Sequence, residues 1–380
     1  MRFYRRWLAL ILALSVGTAG LTVLAEGADG TPEPVEIPVE AELPPEEDED
    51  AGSGTLTITL TGHIGLGDTT RWNTQTRSLT KVSEGKPDDW LLGDFVPVFT
   101  ADDLTLGCLH MPFVNEGIPK PAGSSLYCAP EDAVRFLTAA GIDAVCLADD
   151  SVDDFGTEGY RNTQRVLDEA GILHCGTLIT RSGDIVDELL IWRVKDVRIG
   201  VVGYCDPTER TVPEILDRVA LLREHGCDIV IVSVEWGDPT SASPKYANLT
   251  IGQALIDGGA DVVWGHGSNA LHPVYLYKGK PIISSLGSLC DGYSGAVSTF
   301  GAVLTLEYDI SGEAPVLTVL RATPFKTGNR GEYRPFILEI ERNRKYTFNL
   351  LISRTPRADL DSLPKDFAET GVYFFAGETE

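Results

Sequence analysis

Six residues that can bind a metal or move a proton lie at or just beyond the ends of short apolar runs. They are His63, His110, Asp149, Glu235, His266 and Asn269. Imidazole nitrogens and carboxylate oxygens held at fixed positions form sites for zinc, manganese or iron. With one such divalent metal bound, Asp149 or Glu235 would be the general base that activates water. No pair has a tight ligand spacing such as HExxH, so the surrounding elements must bring the residues together.

The apolar runs belong to a repeating unit of helix, glycine and apolar strand. We predict helices over 131–140, 158–170, 213–225 and 249–257, and strands over 55–62, 104–109, 143–148, 228–234 and 261–264. Proline near a helix start and glycine after its end, as at Pro213 and Gly226, are the expected punctuation. This alternation predicts an α/β domain with parallel strands. In such domains the binding and catalytic residues lie at the carboxyl ends of the strands.

Later segments predict a second sheet. Residues 187–194 and 197–204 form a predicted hairpin across Lys195 and Asp196, and two further strands are predicted over 302–308 and 316–322. We therefore place one folded domain over 55–330. Residues 331–380 are less regular and are predicted to be an extension that packs on the domain or trails from it.

The N-terminus has the three parts of an export signal. Arg2, Arg5 and Arg6 precede an uncharged run from 7 to 25, whose end has Val23 and Ala25 at the −3 and −1 positions of a signal-peptidase site. Residues 1–25 are predicted to be a cleaved signal peptide or an uncleaved membrane anchor, and either one places the rest outside the cytoplasm. Residues 26–54 are acidic and rich in proline, which predicts a disordered linker.

Composition narrows the function further. Of the 380 residues 43% are apolar and 23% charged, which is the usual mix for a globular protein. The formal net charge of −25 argues against nucleic-acid binding through a basic patch. The seven cysteines form no CxxC pair and cannot all pair within one chain, so free thiols are expected, as in a protein from a reducing habitat.

Several segments, in order, carry a family resemblance. Among them are residues 168–176 (DEAGILHCG), 198–204 (RIGVVGY), 260–266 (ADVVWGH) and 278–287 (KGKPIISSLG). From about residue 55 to 308 the sequence resembles the capsule-synthesis CapA family, whose domain is similar to the calcineurin-like metallophosphoesterases. The resemblance implies a four-layer αββα sandwich. It also implies a role in making or handling an extracellular anionic polymer such as poly-γ-glutamate, with that polymer or other cell-envelope components as partners.

The polar positions depart from the family pattern. Histidine at 63 stands where the family has aspartate, Cys108 where it has asparagine, His110 where it has glutamate, and Glu235 where it has histidine. One interpretation is a degenerate site in a pseudoenzyme that only binds a polymer or partner at the cell surface. The other is a rewired site that holds a single zinc, manganese or iron ion and hydrolyses a phosphoester or an amide.

Single residues also have structural interpretations. Asp149 could be a helix cap or turn residue, and Asp68 is more typical of a cap than of a ligand. His110 could be a loop histidine with satisfied hydrogen bonds. The other histidines, at 174, 225 and 272, are expected to be structural.

Overall fold

The computed structural model describes residues 54–121, 125–180, 183–238, 241, 243–291, 300–328, 333–353 and 359–375, and the backbone of 22–26, 32–36 and 41–42. Its strands are β1 Thr22–Glu26, β2 Pro32–Glu36, β3 Ala41–Glu42, β4 Thr55–Ile64, β5 Asp68–Thr69, β6 Leu104–Leu109, β7 Phe113–Val114, β8 Tyr127–Pro130, β9 Ala144–Cys146, β10 Leu173–Ile179, β11 Ile185–Val194, β12 Val197–Cys205, β13 Ile229–Glu235, β14 Val262–His266, β15 Val274–Tyr277, β16 Lys280–Ile283, β17 Ser288–Cys290, β18 Phe300–Asp309, β19 Val316–Lys326, β20 Phe336–Ile337, β21 Asp361–Ser362 and β22 Val372–Phe374.

The helices follow the predicted alternation with the strands. They are α1 Leu79–Val82, α2 Val96–Phe99, α3 Val134–Ala140, α4 Gly156–Ala170, α5 Val212–Glu224, α6 Tyr246–Asp257, α7 Glu341–Leu351 and α8 Phe367–Thr370, with 3₁₀ turns at Gly93–Phe95 and Glu131–Ala133. Gly141 and Gly171 end α3 and α4 in the left-handed conformation that glycine adopts without strain. The predicted hairpin turn is present, with Lys195 and Asp196 both at positive φ.

Two sheets are joined through β10. In the first, parallel pairs link β12 to β13, β13 to β14 and β14 to β16. In the second, parallel pairs link β10 to β9, β9 to β6 and β6 to β4, and β18 and β19 continue from β4 in antiparallel pairs. Because the parallel strands of each sheet end at one edge, residues far apart in the sequence meet there.

The packing gives four layers, which confirms the predicted α/β sandwich. The middle core lies between the sheets and contains Leu60 and Leu106 from one sheet and Ile231 and Trp264 from the other. A second core joins α3 and α4 to the outer face of the β4–β6–β9 sheet. A third joins α5 and α6 to the outer face of the β12–β13–β14 sheet.

One side chain ties the two sheets together beside their carboxyl ends. Trp264 of β14 is fully buried, and its indole Nε1 donates to the carbonyl oxygen of Thr61 in β4 at 2.9 Å. A buried indole whose N–H donates a hydrogen bond packs a large apolar area and also fixes the orientation of the ring. The last residues of β4 and β14 are therefore held next to each other where the candidate site begins.

The described part of the C-terminal segment packs on the domain. Phe348 and Leu351 of α7, together with Phe367 of α8, join the core between the sheets, and β22 pairs with β19. Before Thr55 the structure describes only backbone: β1 pairs with β2, and β3 lies parallel to β11. The predicted linker 26–54 thus contains short strands, whereas most of the predicted signal segment 1–25 lies outside the described residues. Within the described chain, no helix has the length and hydropathy needed to cross a membrane.

An ion-pair cluster fixes α4 against the second sheet and makes stability depend on pH. His174 of β10 lies 3.2 Å from a carboxylate oxygen of Asp168 and 3.2 Å from one of Glu188. Burial disfavours its charge, but hydrogen bonds to the two carboxylates outweigh burial and raise the pKa of His174 to about 9. The stabilisation is therefore complete below the ordinary histidine pKa and is lost as the pH rises through about 9.

We expect His174→Asn to lower the free energy of unfolding by about 1 kcal/mol at pH 6 and by clearly less at pH 10, where His174 has lost its charge. The effect at pH 6 is small because Asp168 is largely solvent-exposed and its charge is screened. Urea unfolding at the two pH values measures this. The Asp168→Asn, Glu188→Gln double variant should lose the same pH dependence. An equal loss at both pH values would contradict the assignment.

Candidate metal centre

The site is assembled from the ends of four parallel strands and the loop after a fifth. His63 and Cys108 pair in register near the ends of β4 and β6, while Glu235 and His266 pair in register at the ends of β13 and β14. Asp149 follows β9. The first sheet thus contributes one half of the site and the second sheet the other, so the site exists only because the two sheets are packed together.

Two carboxylates converge on one imidazole. The Nε2 atom of His63 lies 2.9 Å from Oε2 of Glu235 and 3.2 Å from Oδ2 of Asp149. His110 approaches from the other side, with its Nδ1 atom 3.1 Å from both oxygens of Asp149. The His63 ring stacks on His110 at 4.7 Å and on His266 at 5.7 Å between centroids. Five of the six predicted residues therefore form one connected cluster.

The donor atoms are close enough to share one ion. Single donor atoms of His63, Cys108, Asp149 and Glu235 all lie within 4.8 Å of one another, and all four residues are buried. A second group within the same limit replaces the carboxylates with His266. Ligands of one tetrahedral zinc ion, at about 2.0–2.3 Å from the metal, would lie at such mutual distances.

Burial and neighbouring charge give the four titratable groups different protonation. Burial lowers the pKa of His63 to about 4 despite the carboxylate of Asp149. Burial also disfavours charge on His110 and Asp149, but their mutual attraction outweighs it, raising the pKa of His110 to about 10 and lowering that of Asp149. For Glu235, burial and the negative charge of Asp149 raise the pKa well above its usual range. The chain alone thus lacks the positive charge to keep both carboxylates ionised.

Two unpartnered atoms also fit a metal. His266 is buried, its Nε2 lies 3.0 Å from the hydroxyl of Ser233, and its Nδ1 has no hydrogen-bond partner. One ring nitrogen fixed by a hydrogen bond while the other is left available is the usual arrangement around metal sites. The Nδ1 atom of His63 is likewise buried without a partner. The imidazoles, carboxylates and thiol present therefore fit a divalent ion such as zinc.

A glycine lets the backbone approach the carboxylate. Gly267 has φ +96°, and a Cβ atom placed there would lie 2.0 Å from Oε1 of Glu235. Its backbone N–H donates to Nε2 of His63 at 3.2 Å. Position 267 must therefore remain without a side chain for Glu235 and His63 to keep their geometry.

The remaining predicted residues have other contacts. The side-chain oxygen of Asn269 accepts a hydrogen bond from the Ser288 hydroxyl at 2.8 Å, and Ser288 pairs in register with His63. Asp68 accepts from the backbone N–H groups of Leu79 and Thr80 in the first turn of α1, whose N-cap residue is Ser78.

Sequence reasoning missed two neighbours of the cluster. Asp291, which is 6% exposed, directly follows β17, and its charge acts on both His63 and His110. The sequence pattern does not predict a strand over 288–290. Had it done so, the rule that functional residues follow strand ends would have pointed to Asp291. Cys108 is by residue type a poor ligand for a hard cation, yet its sulfur lies within the donor group.

The family follows from a match to more than half of the chain. The family model described as "Bacterial capsule synthesis protein PGA_cap" matches residues 57–293. The chain belongs to this family. The match covers β4 to β17 and so includes every strand that contributes to the cluster.

Named relatives of this PGA_cap chain agree with the assignment. It is 28% identical over 230 residues to a "Probable polyglutamine synthesis accessory protein" of Mycobacterium tuberculosis, covering 54% of this chain and 60% of that protein. It is 24% identical over 227 residues to the "PGA biosynthesis protein CapA" of Bacillus subtilis, covering 56% and 59%. The "Capsule biosynthesis protein CapA" of Bacillus anthracis is 23% identical over 235 residues, covering 57% and 56%. The chain thus spans less than two thirds of the length of these relatives.

A solved structure described as a hypothetical protein from Thermus thermophilus superposes with a TM-score of 0.42 at 16% identity, covering 71% of this chain and 99% of that one.

Proposed function

We propose that this PGA_cap chain acts in the synthesis or processing of an extracellular poly-γ-glutamate-type polymer, as a hydrolase with a single divalent metal. The family and the names of the relatives support a role in the synthesis of this polymer. The observation that carries the chemistry is the approach of Glu235 and Asp149 to the same nitrogen of His63, at 2.9 and 3.2 Å. Under this proposal the N-terminal segment exports the chain to the cell envelope, where such a polymer is found.

The roles divide according to the charge state of each residue. Asp149 stays ionised beside His110, which suits a ligand, and His63 stays neutral, which leaves its lone pair available. Burial and the negative charge of Asp149 raise the pKa of Glu235, and a carboxylate with a raised pKa suits a group that takes a proton from water once a bound cation favours its ionised form. A bound divalent ion would supply Lewis-acid polarisation and lower the pKa of water.

His110 would meet the substrate. Its side chain is 14% exposed, whereas those of His63, Asp149 and Glu235 are 6% exposed or less. Paired with Asp149 it remains protonated, so it can donate a hydrogen bond to a phosphoryl or carboxylate oxygen. A chain with net charge −25 repels a polyanion, and a cationic group of this kind would provide local attraction at the site.

A metal-free binding module is the second candidate. The observation that favours it is the His110–Asp149 pair, because a protonated imidazole there supplies positive charge without a metal. The site would then bind an anionic segment of the polymer without cleaving it.

Activity after metal removal separates the two candidates. We expect the protein to cleave bis(4-nitrophenyl) phosphate or shorten poly-γ-glutamate, to lose this activity after chelation, and to regain it with zinc or manganese. Glu235→Gln should lower the rate by about 10²–10⁴-fold because the general base is lost. As a matched control, Glu307→Gln removes a carboxylate that pairs with Arg321 in the β18–β19 hairpin and should leave the rate unchanged.

Cleavage that survives chelation would contradict the metal-dependent mechanism. If neither probe is cleaved with any metal, while labelled poly-γ-glutamate binds equally well in EDTA, the binding module is the correct function.

A further inference from the structure

The sulfur atom of Cys108 lies within the cluster but has no role in the mechanism above. Cys108 is fully buried near the end of β6, directly beside His63 in the parallel β4–β6 pair. Its Sγ belongs to two of the three donor groups among the described residues, the one with His63, Asp149 and Glu235 and the one with His63 and His266; the third group contains His110, Asp149 and Asp150. His63 and Cys108 are the two members that the first two groups share.

The other cysteines do not share this position. Cys146 and Cys175 follow Cys108 across neighbouring strands in register, but neither belongs to a donor group among the described residues. Cys227 is buried in the core between the helices and the first sheet, away from the strand ends. Cys108 alone of these places sulfur among imidazole and carboxylate donors.

We propose that Cys108 is a direct metal ligand and sets the metal preference of this centre, selecting zinc-type ions over manganese or magnesium. The inference rests on the proposed metal function and specifies its ligand set: His63, Cys108 and Asp149, with an open position beside Glu235. Three protein ligands and one open position are the usual form of a catalytic zinc site. A thiolate is a soft ligand that favours zinc, cobalt and iron, whereas manganese and magnesium prefer oxygen.

The geometry around Cys108 supports coordination rather than simple packing. One donor atom from each of His63, Asp149 and Glu235 lies within 4.8 Å of the Cys108 sulfur, and His63 and His266 are only 4% and 1% exposed. A sulfur atom that only filled space in an apolar core would not be expected among so many polar donor atoms. On binding, the Cys108 thiol loses its proton to the solvent, and the thiolate forms the bond to the metal.

Cobalt(II) is the probe that tests this ligand directly. Titrating the full-length, metal-free protein with Co²⁺ should give one equivalent of binding and a near-ultraviolet sulfur-to-cobalt charge-transfer band. Cys108→Ser should lose the band and bind Zn²⁺ at least about 100-fold more weakly, since even outer-shell changes cost 10–100-fold. Its preference for Zn²⁺ over Mn²⁺ should fall as well. Cys227→Ser, an equally conservative change at another buried cysteine, should keep both the band and the affinity.

The wild-type spectrum decides the question even if Cys108→Ser does not fold. Stoichiometric Co²⁺ binding without the charge-transfer band would overturn the role of Cys108 while leaving the metal function intact. A band that persists in folded Cys108→Ser would overturn it too. If the wild type binds neither Co²⁺ nor Zn²⁺, the proposed metal function itself fails, and the ligand assignment fails with it.

Discussion

Replacing Asp149 with asparagine should weaken metal binding by at least about 100-fold and destabilise the metal-free protein by about 3 kcal/mol at pH 6. Asp149 contacts His63 and His110, and it also accepts the backbone N–H of Ser151 at 2.9 Å. An amide keeps the shape but loses the charge that holds His110 protonated. The variant thus removes one predicted ligand and one partner of a buried ion pair.

The stability loss in Asp149→Asn should depend on pH. With a pKa of about 10 in the folded protein, His110 contributes fully below its ordinary pKa, and this contribution disappears as the pH rises through about 10. Wild type and variant should therefore converge toward high pH when both are measured in EDTA. Asp102→Asn is the matched control, because Asp102 is also a buried aspartate but precedes β6 at the opposite end of the strand. Unchanged zinc affinity in Asp149→Asn would refute its role as a ligand.

Adding one methyl group at Gly267 should damage both the fold and the site. In Gly267→Ala the new Cβ atom would lie 2.0 Å from Oε1 of Glu235 and 2.4 Å from the backbone nitrogen of Gly237. Both the Glu235 carboxylate and the backbone at Gly237, just after β13, must move, so we expect a loss of more than about 4 kcal/mol in the free energy of unfolding. The proposed hydrolytic activity should be lost as well, because Glu235 is displaced.

Gly279→Ala separates the steric clash from the backbone strain. Gly279 also has positive φ, at +73°, but no atom lies within 4 Å of the position its Cβ would take. This variant should cost about 1 kcal/mol and leave metal binding unchanged. Similar losses in the two alanine variants, measured by chemical unfolding, would show that the close approach of Gly267 to Glu235 is not needed.

The positions of the site residues could be predicted from the sequence because they depend on local patterns. Apolar runs bounded by glycine gave the strands, and parallel strands expose their carboxyl ends at one edge, so His63, Asp149 and Glu235 could be proposed as neighbours. The prediction that Lys195 and Asp196 form a hairpin turn depended equally on short-range chemistry. These features follow from backbone geometry and need no knowledge of how the two sheets pack.

Other features depend on packing between the sheets and could not be read from local patterns. Cys108 lies in an apolar run, where a cysteine is expected to be an ordinary core residue. Only the pairing of β4 with β6 places it beside His63. Asp291 follows a strand of three residues, too short to give a periodic signal. The raised pKa of His110 arises from Asp149, which is 39 positions away in the chain. These distances support the proposal of a rewired site, whereas the sequence alone left a degenerate site open as well.

The central claim is that the strand-end cluster holds one divalent metal, and metal content tests it most directly. Inductively coupled plasma mass spectrometry on protein purified without chelator should find roughly one zinc, manganese or iron ion per chain. The His63→Ala, His266→Ala double variant should contain none, while His225→Ala, which changes a histidine that bonds only to a backbone carbonyl in the described contacts, should retain the ion. Wild-type protein that contains no metal, even after supplementation, would contradict the account.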